Sequence, residues 1–161
     1  MKSVDTHLAE VLRAVAPLPP LPLPLADAHG CVLAEDVTAA APLPGFDNSA
    51  MDGYAVRLAD IASASSERPA TLPVLGDIAA GARGGRSLQA GCTLRIMTGA
   101  PMPVGADAVV PLEWTDGGVA QVRIDRRPDA GAYVRRAGED VTAGTVVLPA
   151  GSHLGAAQIG L

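Results

Sequence analysis

The part of the chain beyond residue 30 consists of short β-prone runs that glycine or proline repeatedly interrupts. The 161-residue sequence contains 18 glycines and 14 prolines, residue types that end regular elements and mark turns. A doubly wound α/β sheet would need helices of about 10 to 15 residues between its strands, and this pattern lacks them. We therefore predict a mainly β body built from CVLAEDV, GYAV, LPVLGDI, TLRIMT, ADAVVPLEW, VAQVRI, YVRRAGEDV and TVVLPAG.

One amphipathic helix is predicted near the N-terminus, over residues 4–16. Apolar residues recur at helical spacing, Ser3 is a suitable N-cap, and Pro17 ends the pattern. A lone helix of this length is marginal in water, so its apolar stripe must pack against the rest of the chain, a missing domain or a second subunit. The stripe consists of Val4, Leu8, Val11, Leu12 and Val15.

The proline-rich run PLPPLPLPL, residues 17–25, follows the helix. Proline fixes φ and removes a backbone donor, so we predict a stiff connector in an extended polyproline II path. A ligand of an SH3-type domain is the alternative, but no arginine or lysine flanks the run.

Composition and charge exclude several classes of protein. The net charge is −5 and Lys2 is the only lysine, so we predict no nucleic-acid partner. Cys31 and Cys92 lack the spacing of a zinc site and suit a reducing compartment. The first residues mix acidic and basic side chains without a long apolar stretch, which predicts neither a signal peptide nor a membrane span. We therefore expect a cytoplasmic protein without a membrane partner.

The segment PGFDNSAMDGYAV, residues 44–56, places Asp47 and Asp52 in one tight loop before a strand. Because Mg²⁺ binds one or two carboxylates together with water and substrate phosphates, such a loop can form half of a magnesium site. The residues alone favour a structural alternative, in which a loop residue caps a short helix and Asp52 with Gly53 forms an ordinary turn.

Two further stretches carry polar groups whose role stays open at this point. Thr98, in TLRIMTGAPMPVGADAVV, lies at a strand tip, where it is either a binding group or a local hydrogen-bonding partner. In VRRAGEDV, Arg135 and Arg136 offer guanidinium groups to an oxyanion, while Glu139 and Asp140 offer carboxylates to a metal. A surface ion-pair cluster is the alternative reading of that run.

Other motifs are weaker. The stretch GDIAAGARGG, residues 76–85, lacks the lysine and the following helix of a phosphate loop, so we predict a flexible hairpin connection there. His7, His29 and His153 have no metal-ligand spacing, and no serine-hydrolase, Walker or Rossmann motif occurs.

Three stretches, in this order and at these separations, resemble the N-terminal half of the MoeA/gephyrin E-domain family, the molybdopterin molybdenumtransferases: LPGFDNSAMDGYAVR, RIMTGAPMPVGADAVV and RRAGEDVTAGTVVLPAG. The resemblance covers almost the whole chain. It implies a mainly β fold in which an elongated β region carries an inserted β-barrel-like domain. The implied division is an N-terminal helix at 1–16, a discontinuous elongated domain at 17–41 plus 142–161, and the inserted domain at 42–141.

The same resemblance implies an enzyme that takes adenylylated molybdopterin and molybdate, uses Mg²⁺ or another divalent cation, releases AMP and yields molybdenum cofactor. The family pattern makes Asp52, Thr98 and Asp140 catalytic, with Asp52 and Asp140 as the metal ligands. The implied substrate-binding residues are Arg135, Glu139 and Ser49.

Family members continue into an α/β domain and a small C-terminal β domain that are absent here, and the apolar ending GAAQIGL leads us to expect a chain that continues. In the family the α/β domain of the other subunit completes the active site. We therefore predict a homodimer and an inactive 161-residue fragment. The alternative is a non-catalytic dimerisation or scaffold module of a gephyrin-like protein.

Overall fold

The structure is a computed structural model that describes residues 2–16, 18–83 and 85–161. These residues form two units. The first combines the N-terminal segment, which ends at Thr38, with the C-terminal segment Val146–Leu161, and the second comprises Ala39–Thr145. The predicted mainly β fold with an N-terminal helix is confirmed. The three-part domain division stays a prediction. Within the described ranges, no helix combines the length and the apolar character needed to cross a membrane.

The first unit begins with helix α1, Val4–Arg13. The Ser3 hydroxyl accepts a hydrogen bond from the backbone N–H of Thr6 at 3.2 Å, so the predicted N-cap is confirmed. The helix ends earlier than residue 16 because the chain turns after Arg13 and the Ala14 N–H bonds back to Val11 at 3.0 Å. The predicted stop at Pro17 lies outside the described residues.

The apolar stripe of α1 is exposed, and none of the helix residues is buried. Leu18 and Leu21 of the proline-rich run are exposed as well. In the same unit, β1 (Val37–Thr38) pairs antiparallel with β9 (Val146–Leu148), and the short helix α2 covers Ala156–Gly160.

The strands of the second unit are β2 (Asn48–Ser49), β3 (Gly53–Val56), β4 (Ala70–Ile78), β5 (Thr93–Ile96), β6 (Ala108–Pro111), β7 (Gln121–Ile124) and β8 (Val134–Arg135). Five of them form a curled sheet in the order β6-β3-β5-β4-β7. The segment after β6 meets β7 through a bridge between Thr115 and Ile124, which curls the sheet towards a half-barrel. Two short strands, β2 and β8, pair separately.

Strands β4 and β5 are parallel, whereas their other pairings in the sheet are antiparallel. A hairpin joins only antiparallel neighbours, so the hairpin predicted for residues 76–85 is wrong. The chain instead crosses over between Ile78 and Thr93 before it re-enters the sheet.

Strand β3 is an interior strand of the sheet and is buried along its whole length, because β5 and β6 flank it and apolar clusters cover both faces. Successive side chains of a strand point to opposite faces, so Tyr54 and Val56 join one cluster and Ala55 joins the other. This packing fixes the ends of β3 and β5, from which Asp52 and Thr98 extend.

Gly53 is the first residue of β3 and lies opposite Pro111 of β6. A Cβ atom there would collide with the carbonyl oxygen of Val110, a backbone atom of the paired strand. We expect Gly53→Ala to lower the free energy of unfolding by about 3 kcal/mol, measured by urea denaturation. The control is Gly45→Ala, because its added Cβ would meet only the Pro42 carbonyl oxygen, at 3.9 Å. Equal stability of the two variants would contradict the close approach.

Candidate functional site

Backbone pairing joins two of the loops that carry the predicted site residues. In the β2–β8 ladder, Asn48 lies opposite Arg135 and Ser49 lies opposite Val134. Farther along the same two segments, the Gly138 N–H donates to the Pro44 carbonyl at 2.9 Å. The 44–56 segment and the 134–141 run are therefore held side by side, although they are far apart in sequence.

Ser49 also connects the third loop. Its backbone N–H donates to the Ala100 carbonyl at 3.0 Å, and its own carbonyl accepts from the Gly99 N–H at 2.8 Å. The Ser49 hydroxyl is fully buried and donates to the Met51 carbonyl at 2.5 Å. Direct substrate contact would require that bond to break, so substrate binding by Ser49 stays a prediction, whereas its part in joining the loops is observed.

Asp52 and Thr98 form the most closely bonded pair of the predicted site. One carboxylate oxygen of Asp52, Oδ1, accepts the Thr98 backbone N–H at 2.7 Å and the Thr98 hydroxyl at 2.8 Å. The backbone N–H and then the hydroxyl of Thr98 hold the pKa of Asp52 below its ordinary value, and the Arg95 charge adds to this effect. Both residues are exposed. Asp52 therefore presents an ionised carboxylate to solvent, and its Oδ2 accepts no hydrogen bond from the described residues.

Arg135 and Asp140 form an ion pair at 2.6 Å, with side chains that are both about half exposed. Exposed ion pairs contribute little to stability, so a ligand can displace this one at small cost. Glu139 accepts the backbone N–H of Arg136 at 2.9 Å, a local bond that shapes the turn, and substrate binding by Glu139 stays a prediction. Arg135, the predicted anion contact, and Asp140, the predicted metal ligand, thus neutralise each other in this structure.

Asp47 has a structural role that connects two of the loops. Its carboxylate accepts the Ala137 backbone N–H at 2.8 Å and the Arg136 guanidinium at 2.6 Å. These two groups, the backbone N–H first, hold the pKa of Asp47 below its ordinary value. The sequence offered no signal for this contact, because its partners lie about ninety positions away in the chain.

The structure brings the three loops together but leaves their charged groups in two separate pairs. Among the described residues, no hydrogen bond or salt bridge connects Asp52 and Thr98 to Arg135 and Asp140. In the same residues, no cluster of three or more His, Cys, Asp and Glu side chains is arranged to hold a metal ion. The chain's own carboxylates can therefore provide part of a cation site, with the remaining ligands supplied by water or substrate.

One further charged residue near this site was not singled out from the sequence. Arg95 lies on β5 opposite Tyr54, and its Nε is buried without a hydrogen-bond partner in the part of the chain that the structure describes. The available signal was the charge itself, because TLRI is otherwise a β-prone run within the sheet.

Comparison with known proteins identifies the family of this chain. The family model of the MoeA N-terminal region, domains I and II, matches residues 2–161. The chain belongs to this family.

Curated relatives and solved structures agree with that assignment. Molybdopterin molybdenumtransferase 1 of Mycobacterium tuberculosis is 44% identical over 176 aligned positions, which cover 100% of this chain and 41% of the relative. Molybdopterin molybdenumtransferase 2 of the same species is 48% identical, and the alignment covers 100% of this chain and 40% of that relative. The crystal structure of the molybdopterin biosynthesis MoeA protein from Pyrococcus horikosii superposes with a TM-score of 0.84 at 31% identity, covering 96% of this chain and 40% of that one. The chain thus spans about 40% of the length of these relatives.

The Asp47 contact predicts a pH-dependent stability. A group whose folded-state pKa is depressed contributes stability that is fully present above its unfolded pKa and is lost as the pH falls through the folded value. We expect wild type to be more stable than Asp47→Ala at neutral pH, and the difference to shrink as the pH falls below 3.8. Urea unfolding of wild type and Asp47→Ala at several pH values measures the stability difference and its decrease with pH. The matched control is Asp129→Ala, because that carboxylate accepts no hydrogen bond from the described residues. A constant Asp47→Ala difference at all pH values would rule out the contact as its source.

Proposed function

We propose that this chain is the substrate- and metal-binding N-terminal part of a molybdopterin molybdenumtransferase. The full enzyme inserts molybdenum from molybdate into adenylylated molybdopterin and releases AMP, in the biosynthesis of molybdenum cofactor. The observation that carries the proposal is the junction at Ser49, where backbone hydrogen bonds gather the three loops of the family motif. The relatives in Mycobacterium tuberculosis are molybdopterin molybdenumtransferases, which supports the same activity.

The residues of the three loops suit the chemistry of a phosphoanhydride. Cleavage of such a bond spreads negative charge over phosphate oxygens, which positioned donors and a cation stabilise. In our proposal Asp52 and Asp140 hold the cation, Arg135 contacts an anionic oxygen, and Thr98 orients Asp52 and a ligand oxygen. Glu139 shapes the turn on which Arg135 and Asp140 lie.

A magnesium ion fits this set of donors as a partial site. Mg²⁺ is typically held by one or two carboxylates together with water and substrate phosphates, and the exposed carboxylates of Asp52 and Asp140 can provide that share. Once bound, the ion would neutralise charge on the phosphate oxygens. Asp52 is prepared for this role, because Thr98 keeps it ionised and leaves Oδ2 available.

Further parts of the enzyme complete the site in this proposal. The C-terminal domains of the family and a second subunit supply the remaining contacts to molybdate and molybdopterin, so the chain alone is inactive. The exposed apolar stripe of α1 supports a homodimer or contact with a missing domain, since a helix with that much exposed apolar surface is marginal on its own. We place the enzyme in the cytoplasm.

The stripe of α1 also favours a second function, that of a non-catalytic dimerisation or scaffold module. A scaffold has no need of an ionised, solvent-facing carboxylate with an unused oxygen, and Asp52 therefore favours the enzyme. The measurement that separates the two functions is molybdenum insertion.

We expect Asp52→Ala and Asp140→Ala in the full-length enzyme to lower the rate of molybdenum insertion by about a hundredfold or more. Both side chains are exposed, so both variants should fold, as monitored by circular dichroism and thermal unfolding. Cofactor formed from adenylylated molybdopterin and molybdate is quantified together with the AMP released. Asp129→Ala, which removes an exposed aspartate elsewhere in the same unit, should behave as wild type. Wild-type rates in both active-site variants would refute the assigned roles.

A further inference from the structure

Arg95 occupies a position within the sheet that usually suits an apolar residue. It lies on β5 between two neighbouring strands, opposite Tyr54 of β3 and Asp77 of β4. Its neighbours Leu94 and Ile96 belong to the second apolar cluster, so Arg95 points to the other face of the sheet, where Tyr54 packs. The side chain is therefore directed by the alternation of the strand and not by a flexible loop.

The guanidinium group of Arg95 has no partner among the described residues. Within the described ranges, its Nε is buried and makes no hydrogen bond, and none of its nitrogens lies within salt-bridge distance of a carboxylate. The Tyr54 hydroxyl donates to the Gly118 carbonyl at 2.9 Å and Oδ1 of Asp52 accepts from Thr98, and among the described residues neither group is hydrogen-bonded to Arg95. The burial of Nε leaves the two terminal nitrogens of the guanidinium group as the donors that an acceptor from outside the chain can reach.

The sheet brings Arg95 close to the candidate site. Asp52 directly precedes β3 and Thr98 follows β5, and the two residues are bonded to each other across the ends of these paired strands. The Thr98 backbone N–H and hydroxyl hold the pKa of Asp52 below its ordinary value, and the Arg95 charge adds a smaller contribution in the same direction. Arg95 therefore faces the same end of the sheet as the exposed Asp52 carboxylate.

We propose that Arg95 binds a phosphate oxygen of the adenylylated substrate beside Asp52 and Thr98. This inference rests on the proposed function. Arginine suits the role because its planar group donates parallel hydrogen bonds to phosphate oxygens and stays charged. A cation held by Asp52 and an arginine next to it would neutralise neighbouring oxygens of one phosphate group.

The test uses Arg95→Met and Arg95→Lys in the full-length enzyme, with Arg123→Met as the control. Arg123 is also a sheet arginine, but it is exposed and paired with Asp125. Affinity for adenylylated molybdopterin and for AMP is measured by titration calorimetry, molybdate is titrated separately, and thermal unfolding is recorded for each variant. A structural arginine would lower stability when replaced, whereas a ligand-binding one would lower affinity.

We expect Arg95→Met to weaken binding of the adenylylated substrate on the order of tenfold to a hundredfold, with the unfolding temperature unchanged or raised. Arg95→Lys should retain the charge but lose the paired donors, and its affinity should lie between those of wild type and Arg95→Met. Arg123→Met should bind as wild type.

Unchanged affinity in Arg95→Met, or a loss confined to molybdate, would overturn the assignment. If Arg95→Met does not fold, the lysine variant decides, and wild-type affinity there would overturn it. These outcomes differ from a failure of the proposed function, which would appear as full activity in Asp52→Ala and Asp140→Ala whatever the Arg95 variants do.

Discussion

The backbone hydrogen bonds of the Ser49 region hold the candidate site together. Asp52, Thr98 and Asp140 are exposed and lie on loops, and such side chains would be poorly positioned if their loops moved independently. Ser49 pairs with β8 on one side and with Gly99 and Ala100 on the other, and it is itself fully buried. The loops are thereby fixed by main-chain contacts that do not depend on the charges they carry, so a ligand can displace the Arg135–Asp140 pair without releasing the loops.

The electrostatics of the site follow from which charges are already paired. Asp47 is paired with Arg136 and Ala137, and it serves the structure. Arg135 and Asp140 are paired with each other in a half-exposed contact that a ligand can displace at small cost. Asp52 is held by neutral donors of Thr98, which stabilise its ionised form without neutralising it. Negative charge is thus preserved at Asp52, where our proposal places a cation, and this is a form of preorganisation.

Local signals in the sequence predicted the local structure. The Ser3 cap and the buried GYAV strand depend on neighbouring residues and on spacing, and both agree with the structure. The connection over residues 76–85 was predicted wrongly because parallel pairing of β4 with β5 depends on contacts between remote segments, which local turn residues do not encode. The bond between Asp52 and Thr98 spans 46 positions, and the residues alone left both with structural alternatives. The family motif brought them together in the prediction, and the register of β3 with β5 explains physically why they meet.

The apolar core of the sheet offsets the free-energy cost of burying the Arg95 Nε without a partner among the described residues. A buried Nε without a partner reduces stability, and sites of function are where proteins retain such unfavourable features. Strands β3, β5 and β6 bury apolar side chains on both faces next to Arg95, and this burial offsets the cost of one unsatisfied donor. The close contact between Gly53 and the Val110 carbonyl holds β3 in register with β6, and this fixes Asp52 relative to Arg95. An apolar residue at position 95 would satisfy the fold better, so the arginine is best explained by what it binds.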